Sequence, residues 1–469
     1  MKLFLEKALK GKKYQIKPLI PEGSDREYFR IITKDRSYIL AHSPILQQEK
    51  FLNRWKAFYE GGLNVPKVYS YQLKVDGDIP IGIKKSYQDE IPAFAEQAGN
   101  NLCSHLTELD SRFCGTGSHQ SGFPFENDGK MKSYGDKNQK GFLLLEDLGD
   151  QSLEKEVLKN KTLPFSYYYQ ALDQIIKLSS MVDLASRKRG SLKRTKKNAS
   201  LNSPVFTEEQ FFKEMLWTEK YLIGNLYQID RSGPGCSGPD FANSELHLPP
   251  RKSLQKLQNL SSPPAFARAG LRRSNQISIE WKKNLQAQCR REWQHICKTL
   301  SSFSFLLAHR DYHSRNIFIK NKKVYLIDFQ DAGFFPRLYD VVSLFYDVYV
   351  HPIPNGDKIH GALLKEGDQK PRGHQMTDKE REKLLRYFVS HHPDLKSVEE
   401  IRWEMAITAV QRLFKACGSF ASFSSLKKQN THLKYIVPAL KMLRKELQNL
   451  KEYPYFLSLV DMLLDRTGA

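Results

Sequence analysis

The sequence predicts an α+β fold in which a small β-rich lobe precedes a larger, mainly helical lobe. Three observations support this prediction. The first part of the chain alternates in the manner of strands, an apolar strand at 141–145 runs abruptly into acids and glycine, and helical spacing prevails from about Asp378 onward. At 469 residues the chain is too long for one ordinary core, so two lobes with insertions are expected. We place the boundary between 148 and 149.

The first lobe, residues 1–148, is predicted to hold one long helix and several strands. Apolar residues recur at helical spacing from Ile45 to Glu60, and Gly61 and Gly62 end that helix. A Lys-Asp-Arg turn joins the first two strands into a hairpin. The predicted strands or extended segments are 28–32, 37–40, 65–68 and 141–145.

The second lobe, residues 149–469, is predicted to be mainly helical with one short strand and one hairpin. Asn321 and Lys322 form the turn of that hairpin. The predicted helices are 167–182, 208–226, 281–300 and several after 378, and the predicted strands are 303–307, 317–319 and 324–327. Strands followed by helices indicate an α+β arrangement.

Three segments differ in composition from both lobes and are expected to be loop-rich insertions, at about 100–140, 185–203 and 231–277. The net charge of +21 is concentrated near them. Residues 187–197 carry seven Lys and Arg with no acid, and residues 251–300 carry eleven against two acids. Such runs in Ser-rich segments are most often solvated loops. Nucleic acid is therefore not the expected partner, although the charge alone would suggest one.

Cysteine usage and hydropathy indicate the cellular compartment and argue against a zinc-binding or membrane protein. The six cysteines are scattered, without a C-x-x-C pair or a cluster at zinc spacing, which suggests a reducing compartment and no structural zinc. Charged residues interrupt the start of the chain, and no run approaches eighteen apolar residues. We therefore expect a cytoplasmic protein with no membrane partner.

The residues that carry chemistry lie between 309 and 328. Asn316 follows Asp311 by five positions, and the hairpin then returns the chain so that Asp328 lies beside the same loop. One carboxylate is thus available to accept a hydroxyl proton, while an amide oxygen and a second carboxylate suit a hard divalent cation. Phosphoryl transfer requires this set, because positioning and charge neutralisation dominate its catalysis. The alternative is that Asp311 and Asp328 only cap turns.

The stretch from His309 to Asn316, with Ile327 to Ala332, resembles the catalytic loop of the aminoglycoside phosphotransferase/choline kinase superfamily, which is related to protein kinases. More narrowly, it is similar to bacterial cell-wall amino-sugar kinases, which phosphorylate the anomeric hydroxyl of N-acetylmuramate and N-acetylglucosamine in peptidoglycan recycling. Further matching blocks occur in the same order, at 24–30, 62–68, 141–149, 336–344 and 411–420.

The resemblance implies a protein-kinase-like two-lobed fold, ATP and Mg²⁺ as cofactors, and a sugar as substrate. Asp311 would be the catalytic base, and Asn316 and Asp328 would hold the metal. His309 and Asp340 would support the catalytic loop. The residues that would bind ATP are Gly23, Ser24, Asp25, Arg26, Arg30, Glu146, Asp147 and Leu148. The residues that would contact the sugar are His313, Arg315, Gln330, Asp331 and Glu214.

One departure from the superfamily pattern concerns the third strand. Its members usually carry a lysine there against the phosphates, but this strand has the sequence Tyr-Ile-Leu-Ala-His and no lysine. Arg26, Arg30 or Arg315 would have to supply the missing charge, and Glu49 would orient one of them. Solvated surface positions are the alternative for these arginines, and a solvated helix face is the alternative for Glu214.

Two other functions are open on the sequence. One is a kinase of the same superfamily for a different alcohol, such as choline, homoserine, an aminoglycoside or another sugar, because the fold does not fix the acceptor. The other is a catalytically silent binding module with basic insertions. A kinase for protein substrates is not expected, since Gln330 follows Asp328-Phe329 where a glycine is usual.

Overall fold

The computed structural model describes residues 1–19, 26–73, 140–160, 162–181, 204–224, 279–351, 373–428 and 430–467. The expected insertions at 185–203 and 231–277, and all but the last residue of 100–140, lie outside these ranges. The chain forms two compact units. The first comprises Met1–Val205, Ser304–Leu344 and Met376–Leu395, and the second comprises Phe206–Phe303, Phe345–Gln375 and Lys396–Ala469. The lobe boundary expected at 148 lies inside the first unit and stays a prediction.

A five-stranded antiparallel sheet forms the start of the first unit, in the order β1-β2-β3-β5-β4. Its alternate residues face two apolar clusters, one around Leu40 and Leu144 and the other around Ala41 and Leu143. Helix α1 contributes to the first cluster and α2 to the second. The elements are α1 (Lys2–Ala8), β1 (Tyr14–Leu19), β2 (Glu27–Thr33), β3 (Ser37–Pro44), α2 (Ile45–Glu60), β4 (Val68–Gln72) and β5 (Lys140–Glu146).

Helix α2 has the predicted bounds, and its end shows why. Gly61 donates its N–H to the carbonyl of Ala57, and Gly62 adopts a φ of +76°, which a residue with a side chain rarely adopts. The helix is tied to the sheet by Gln48, whose buried amide donates to the carbonyl of Gly141 at 2.5 Å. The position of α2 against β5 is thus fixed by a polar contact as well as by apolar packing.

The rest of the first unit combines short strands with helices. Strands β6 and β9 pair with each other, as do β7 and β8. The turn between β7 and β8 has φ of 50° at Asn321 and 61° at Lys322, the left-handed pair of a two-residue hairpin. The elements are α3 (Leu153–Lys159), α4 (Phe165–Ser180), β6 (Phe305–Ala308), β7 (Ile317–Lys320), β8 (Lys323–Leu326), β9 (Gly333–Pro336), α7 (Tyr339–Phe345) and α8 (Asp378–His391).

The described residues of the second unit form helices and the loops that connect them. The rings of Trp293, Phe414 and Phe456 contact one another with centroids 4.9–5.6 Å apart and fill its interior. Its main elements are α5 (Glu208–Thr218) with a π-helical turn (Glu219–Ile223), α6 (Ile279–Ser302), α9 (Val398–Lys427), α10 (Ile436–Leu450) and α11 (Pro454–Thr467). No helix in the described ranges has the length and apolar character needed to span a bilayer.

The α+β prediction is confirmed, with corrections at particular elements. In the strand or extended segment expected at 65–68, the strand itself begins at Val68, and the strand expected from Phe303 begins at Phe305, because α6 extends to Ser302. The helix expected over 208–226 changes to π-helical geometry after Thr218. Helix α1 and strand β1 were not predicted. Strand β1 is an edge strand with four exposed residues in succession, so it lacks the alternation that identifies a half-buried strand.

Candidate active site

The loop from His309 to Asn316 follows β6 and is held by Asp340, the second residue of α7. The two carboxylate oxygens of Asp340 accept the backbone N–H of His309 at 2.6 Å and of Arg310 at 3.1 Å. Asp340 is 2% exposed, and Arg310 adopts a left-handed φ of 81°. A buried carboxylate that bonds successive N–H groups fixes the backbone where the loop turns.

His309 links this loop to the segment that carries Asp328. Its Nε2 lies 2.8 Å from the carbonyl oxygen of Ile327. Because a carbonyl only accepts, Nε2 carries the proton in this contact. Tyr312 anchors the other side of the loop by donating its buried hydroxyl to the carbonyl of Ala171 in α4 at 2.7 Å. Both side chains are buried, so their contacts hold the loop on its interior side.

Asn316 lies between the other two candidate residues. Its side-chain Nδ2 donates to the backbone carbonyl of Asp311 at 3.0 Å. Its backbone carbonyl accepts the N–H of Ile327 at 3.1 Å. Because the amide nitrogen faces Asp311, the amide oxygen is directed to the other side. The contacts therefore connect Asp311, Asn316 and the residue before Asp328 in one continuous network.

Asp328 presents a partly exposed carboxylate at the end of that network. Its side chain is 42% exposed, and its backbone has a left-handed φ of 64°. Its Oδ1 accepts the Nη1 of Arg26 at 3.2 Å and the Nε2 of Gln330 at 2.8 Å. Arg26 in turn donates its Nε to Gln47 of α2 at 3.2 Å. Gln330 is thus engaged with carboxylates, and its Nε2 also lies 3.3 Å from Asp331.

The charges of both candidate carboxylates, Asp311 and Asp328, affect the pKa of Asp331. Burial raises the pKa of Asp331, Arg310 opposes that rise, and the charges of Asp311 and Asp328 add to it. Asp331 also faces two basic residues of α2. Burial lowers the pKa of Arg54 to about 10, and the Asp331 carboxylate counteracts this effect; the same two influences act on Lys50. The acids at 311, 328 and 331 therefore share one electrostatic neighbourhood, which basic groups partly neutralise.

The segment after β5, predicted to meet the adenine, is held by two basic side chains. Arg30 donates to Asp147 at 3.2 Å and to Asp150 at 2.8 Å. Lys320, at the end of β7, forms an ion pair with Glu146 at 2.6 Å and donates to the carbonyl of Asp147 at 2.9 Å. Leu148 is 7% exposed. Arg30 is thus not a solvated arginine, since it braces this segment.

The other predicted contacts are distributed differently. Arg315 forms an ion pair with Glu154 of α3 at 2.9 Å, and His313 lies beside the Asn316 amide, with its Nε2 3.4 Å from Nδ2. Glu214 belongs to the second unit, where it is 3% exposed and accepts the Nε2 of Gln411 at 2.9 Å. A solvated helix face is therefore the wrong interpretation for Glu214. Gly23, Ser24 and Asp25 lie outside the described residues.

Several contacting residues were not identified from the sequence. Gln47, Lys320 and Glu154 each bond a predicted site residue, but each lies more than twenty positions from its partner. No motif spacing could have found them. Asp150 is different, because it follows the acid-rich end of β5 directly, and its closeness to Asp147 was a usable signal.

The chain is similar to several known proteins. Residues 244–374 match the family model described as the phosphotransferase enzyme family. An N-acetylmuramate/N-acetylglucosamine kinase of Pseudomonas aeruginosa is 31% identical over 152 residues, which is 30% of this chain and 43% of the relative. A protein of the same name from Pseudomonas putida is 31% identical over 108 residues, 21% of this chain and 32% of the relative. The chain thus spans less than half the length of these curated relatives.

Solved structures show a low similarity over nearly the whole chain. A thermostable mutant of an aminoglycoside phosphotransferase is 11% identical and has a TM-score of 0.42, covering 95% of this chain and 99% of its own. An ethanolamine kinase of Plasmodium vivax is 12% identical with a TM-score of 0.41, covering 94% and 85%. The loop from His309, Asp328 and Asp340 all lie within the segment 244–374 that matches the family model.

Proposed function

We propose that this protein is an Mg-ATP-dependent small-molecule kinase with a protein-kinase-like site, in which Asp311 is the catalytic base. The observation that carries the proposal is a network around Asn316. Its side chain donates to the carbonyl of Asp311, and its backbone carbonyl accepts the N–H of Ile327, the residue before Asp328. Phosphoryl transfer depends on positioning and on charge neutralisation, and this network supplies fixed positions for a base and for cation ligands.

The donor set fits a hard divalent cation. Asn316 offers an amide oxygen and Asp328 a partly exposed carboxylate, and oxygen ligands of this kind are those that Mg²⁺ takes in proteins. Mg²⁺ usually keeps water and substrate phosphates among its ligands, so these would complete the coordination. When bound, the metal would neutralise phosphate charge and orient the nucleotide.

The residues of the chain would divide the remaining work. Asp311 would orient the acceptor hydroxyl and take its proton as the bond to phosphorus forms. Asp340 and His309 would hold the loop that carries Asp311, through the contacts to the backbone of His309, Arg310 and Ile327. Glu146, Asp147 and Leu148 would meet the adenine through their backbone, in a segment that Arg30 and Lys320 stabilise.

For the acceptor, we propose the anomeric hydroxyl of N-acetylmuramate or N-acetylglucosamine, in the recycling of peptidoglycan in the cytoplasm. Two observations support this choice: the blocks of resemblance in the sequence, and the names of the two Pseudomonas relatives at 31% identity. His313, Arg315, Gln330 and Asp331, all in the first unit, are the side chains proposed to contact the sugar.

The test is incubation of the full chain with Mg-ATP and a panel of acceptors, followed by phosphorus NMR of the products. The panel contains both amino sugars, glucose, choline, homoserine and an aminoglycoside. Phosphate at the anomeric oxygen of an amino sugar is expected. Phosphate on another alcohol would contradict the proposed acceptor but would still support a small-molecule kinase. If the chain binds neither ATP nor ADP nor AMP-PNP, the result would instead support a silent binding module.

A further inference from the structure

Arg26 forms an ion pair with Asp328, one of the two candidate metal ligands. It is the residue before β2, and its guanidinium bonds the Asp328 carboxylate through Nη1 and the Gln47 side chain through Nε. Its side chain is only 15% exposed, whereas that of Asp328 is 42% exposed. The guanidinium is thus held between a neutral amide and a partly exposed carboxylate, and it could also bond phosphate oxygens.

The other basic side chains around the site are engaged with acids that no metal is proposed to take. The pairs are Arg30 with Asp147 and Asp150, Arg315 with Glu154, and Lys320 with Glu146. Arg310, Arg54 and Lys50 lie close to Asp331, which is also not a proposed metal ligand. Strand β3 offers no cation on the face toward α2, because Ala41 occupies that face within an apolar cluster. The negative charge of a bound triphosphate therefore needs a cation that can leave its present partner.

Arg26 meets that requirement. Its carboxylate partner is Asp328, which is proposed to bind the metal, and two cations compete for one carboxylate. Once a divalent cation takes Asp328, the attraction that holds Arg26 there is weakened, and the nucleotide phosphates offer it new anionic partners. Arginine suits this exchange, because its planar fork bonds carboxylate and phosphate oxygens with the same geometry.

We propose that Arg26 is the phosphate-binding cation of this site, and that it exchanges Asp328 for the nucleotide phosphates when the metal binds. This inference rests on the proposed function and adds to it a residue that works in both states. In the metal-free protein Arg26 occupies Asp328 and so weakens binding of a bare cation. In the loaded protein it strengthens binding of the nucleotide.

The two effects have opposite signs, which provides the test. Arg26→Gln removes the charge, Arg26→Lys keeps it without the fork, and Arg36→Gln is the control, since Arg36 is exposed in the turn between β2 and β3. Mn²⁺ affinity without nucleotide is measured by electron paramagnetic resonance of the free ion. Mg-ADP and Mg-AMP-PNP affinities are measured by calorimetry.

For Arg26→Gln we expect Mn²⁺ alone to bind several-fold more tightly and Mg-AMP-PNP about tenfold more weakly than in the wild type. Arg26→Lys should retain part of the nucleotide affinity, and Arg36→Gln should change neither. Shifts of both affinities in the same direction, or a change in only one, would overturn the exchange. A wild-type protein that binds no Mg-nucleotide would refute the proposed function itself, whereas normal wild-type binding with an unaffected Arg26→Gln refutes only the role of Arg26.

Discussion

The carboxylate of Asp340 lies 2.6 Å from the backbone nitrogen of His309 and accepts its N–H, although thirty-one positions separate the two residues. The second oxygen accepts the N–H of Arg310. We expect Asp340→Asn to lower turnover strongly while Mg-nucleotide affinity stays within a few-fold, because an amide has only one oxygen and the loop loses a fixed contact. Stability should fall by roughly 1–3 kcal/mol, the cost of an unpaired buried donor.

A matched control for that variant is Asp347→Asn. Asp347 is also a buried aspartate that accepts a backbone N–H, from Tyr349, but it lies in the second unit. It should lose stability without the loss of turnover. Steady-state kinetics and urea unfolding of both variants separate the two effects. Equal turnover in both would show that Asp340 has only a structural effect.

Asp311→Asn tests the proposed base. The substitution keeps the size of the side chain but removes its ability to take a proton, so turnover should fall by about 10²–10⁴-fold. ATP affinity should remain near that of the wild type, because the metal ligands are unchanged. Asp35→Asn is the control, since Asp35 is an exposed acid paired with Lys12. Near-normal turnover by Asp311→Asn would contradict the role.

Gly418 tests the packing of the second unit. A Cβ atom built on Gly418 would meet the side chain of Thr218 and lie 2.6 Å from its Cα, a contact that real structures do not show. Gly418→Ala should therefore separate α9 from α5 and lower the free energy of unfolding by about 1–3 kcal/mol. Gly224→Ala is the control, because no described atom lies within 4 Å of its Cβ. A stable Gly418→Ala protein would contradict this close approach.

Glu292 predicts a pH dependence of stability. Its carboxylate accepts the N–H groups of Tyr455 and Phe456 at the start of α11, yet burial raises its pKa from 4.5 to about 7. The folded protein therefore binds this proton more tightly than the unfolded chain. Its contribution to stability is fully present below pH 4.5 and is lost as the pH rises to about 7.

Glu292→Gln should remove that dependence, because glutamine is neutral throughout this range. We expect the wild type to lose roughly 1–3 kcal/mol relative to the variant between these two pH values. Urea unfolding of both proteins across the range measures the difference. A difference that stays constant with pH would mean that Glu292 has the same pKa in the folded and unfolded chains.

Features encoded in short stretches were predictable. The bounds of α2 follow from apolar residues at helical spacing and from the two glycines that end it, and the hairpin turn follows from Asn321 and Lys322, with asparagine favouring the left-handed conformation. The candidate catalytic loop was found in the same way, since Asp311, Asn316 and Asp328 lie within one strand–loop–hairpin. Strand β1 was missed because its sequence carries no alternating pattern; its pairing with β2 alone makes it a strand.

The partners of these residues could not be obtained in this way. The contact of Arg26 with Asp328 spans 302 positions, and that of Lys320 with the carbonyl of Asp147 spans 173. The sequence alone left Arg26, Arg30 and Arg315 as equal candidates for the missing cation. The structure distinguishes them, since Arg30 and Arg315 pair with acids away from Asp328. Burial of Glu214 was equally hidden, because its helix carries acids on both faces.

By itself the sequence determined the identities, the local conformations and the order of the residues that are proposed to carry the chemistry. Helix and strand periodicity and turn preferences act between neighbours, and a single stretch of chain records them. Only the tertiary structure decided which charge faces which, because ion pairs and buried hydrogen bonds form between surfaces that packing brings together. The choice of Arg26 as the residue facing Asp328 is therefore a consequence of how β2 and α2 pack near the hairpin, and no local pattern contains it.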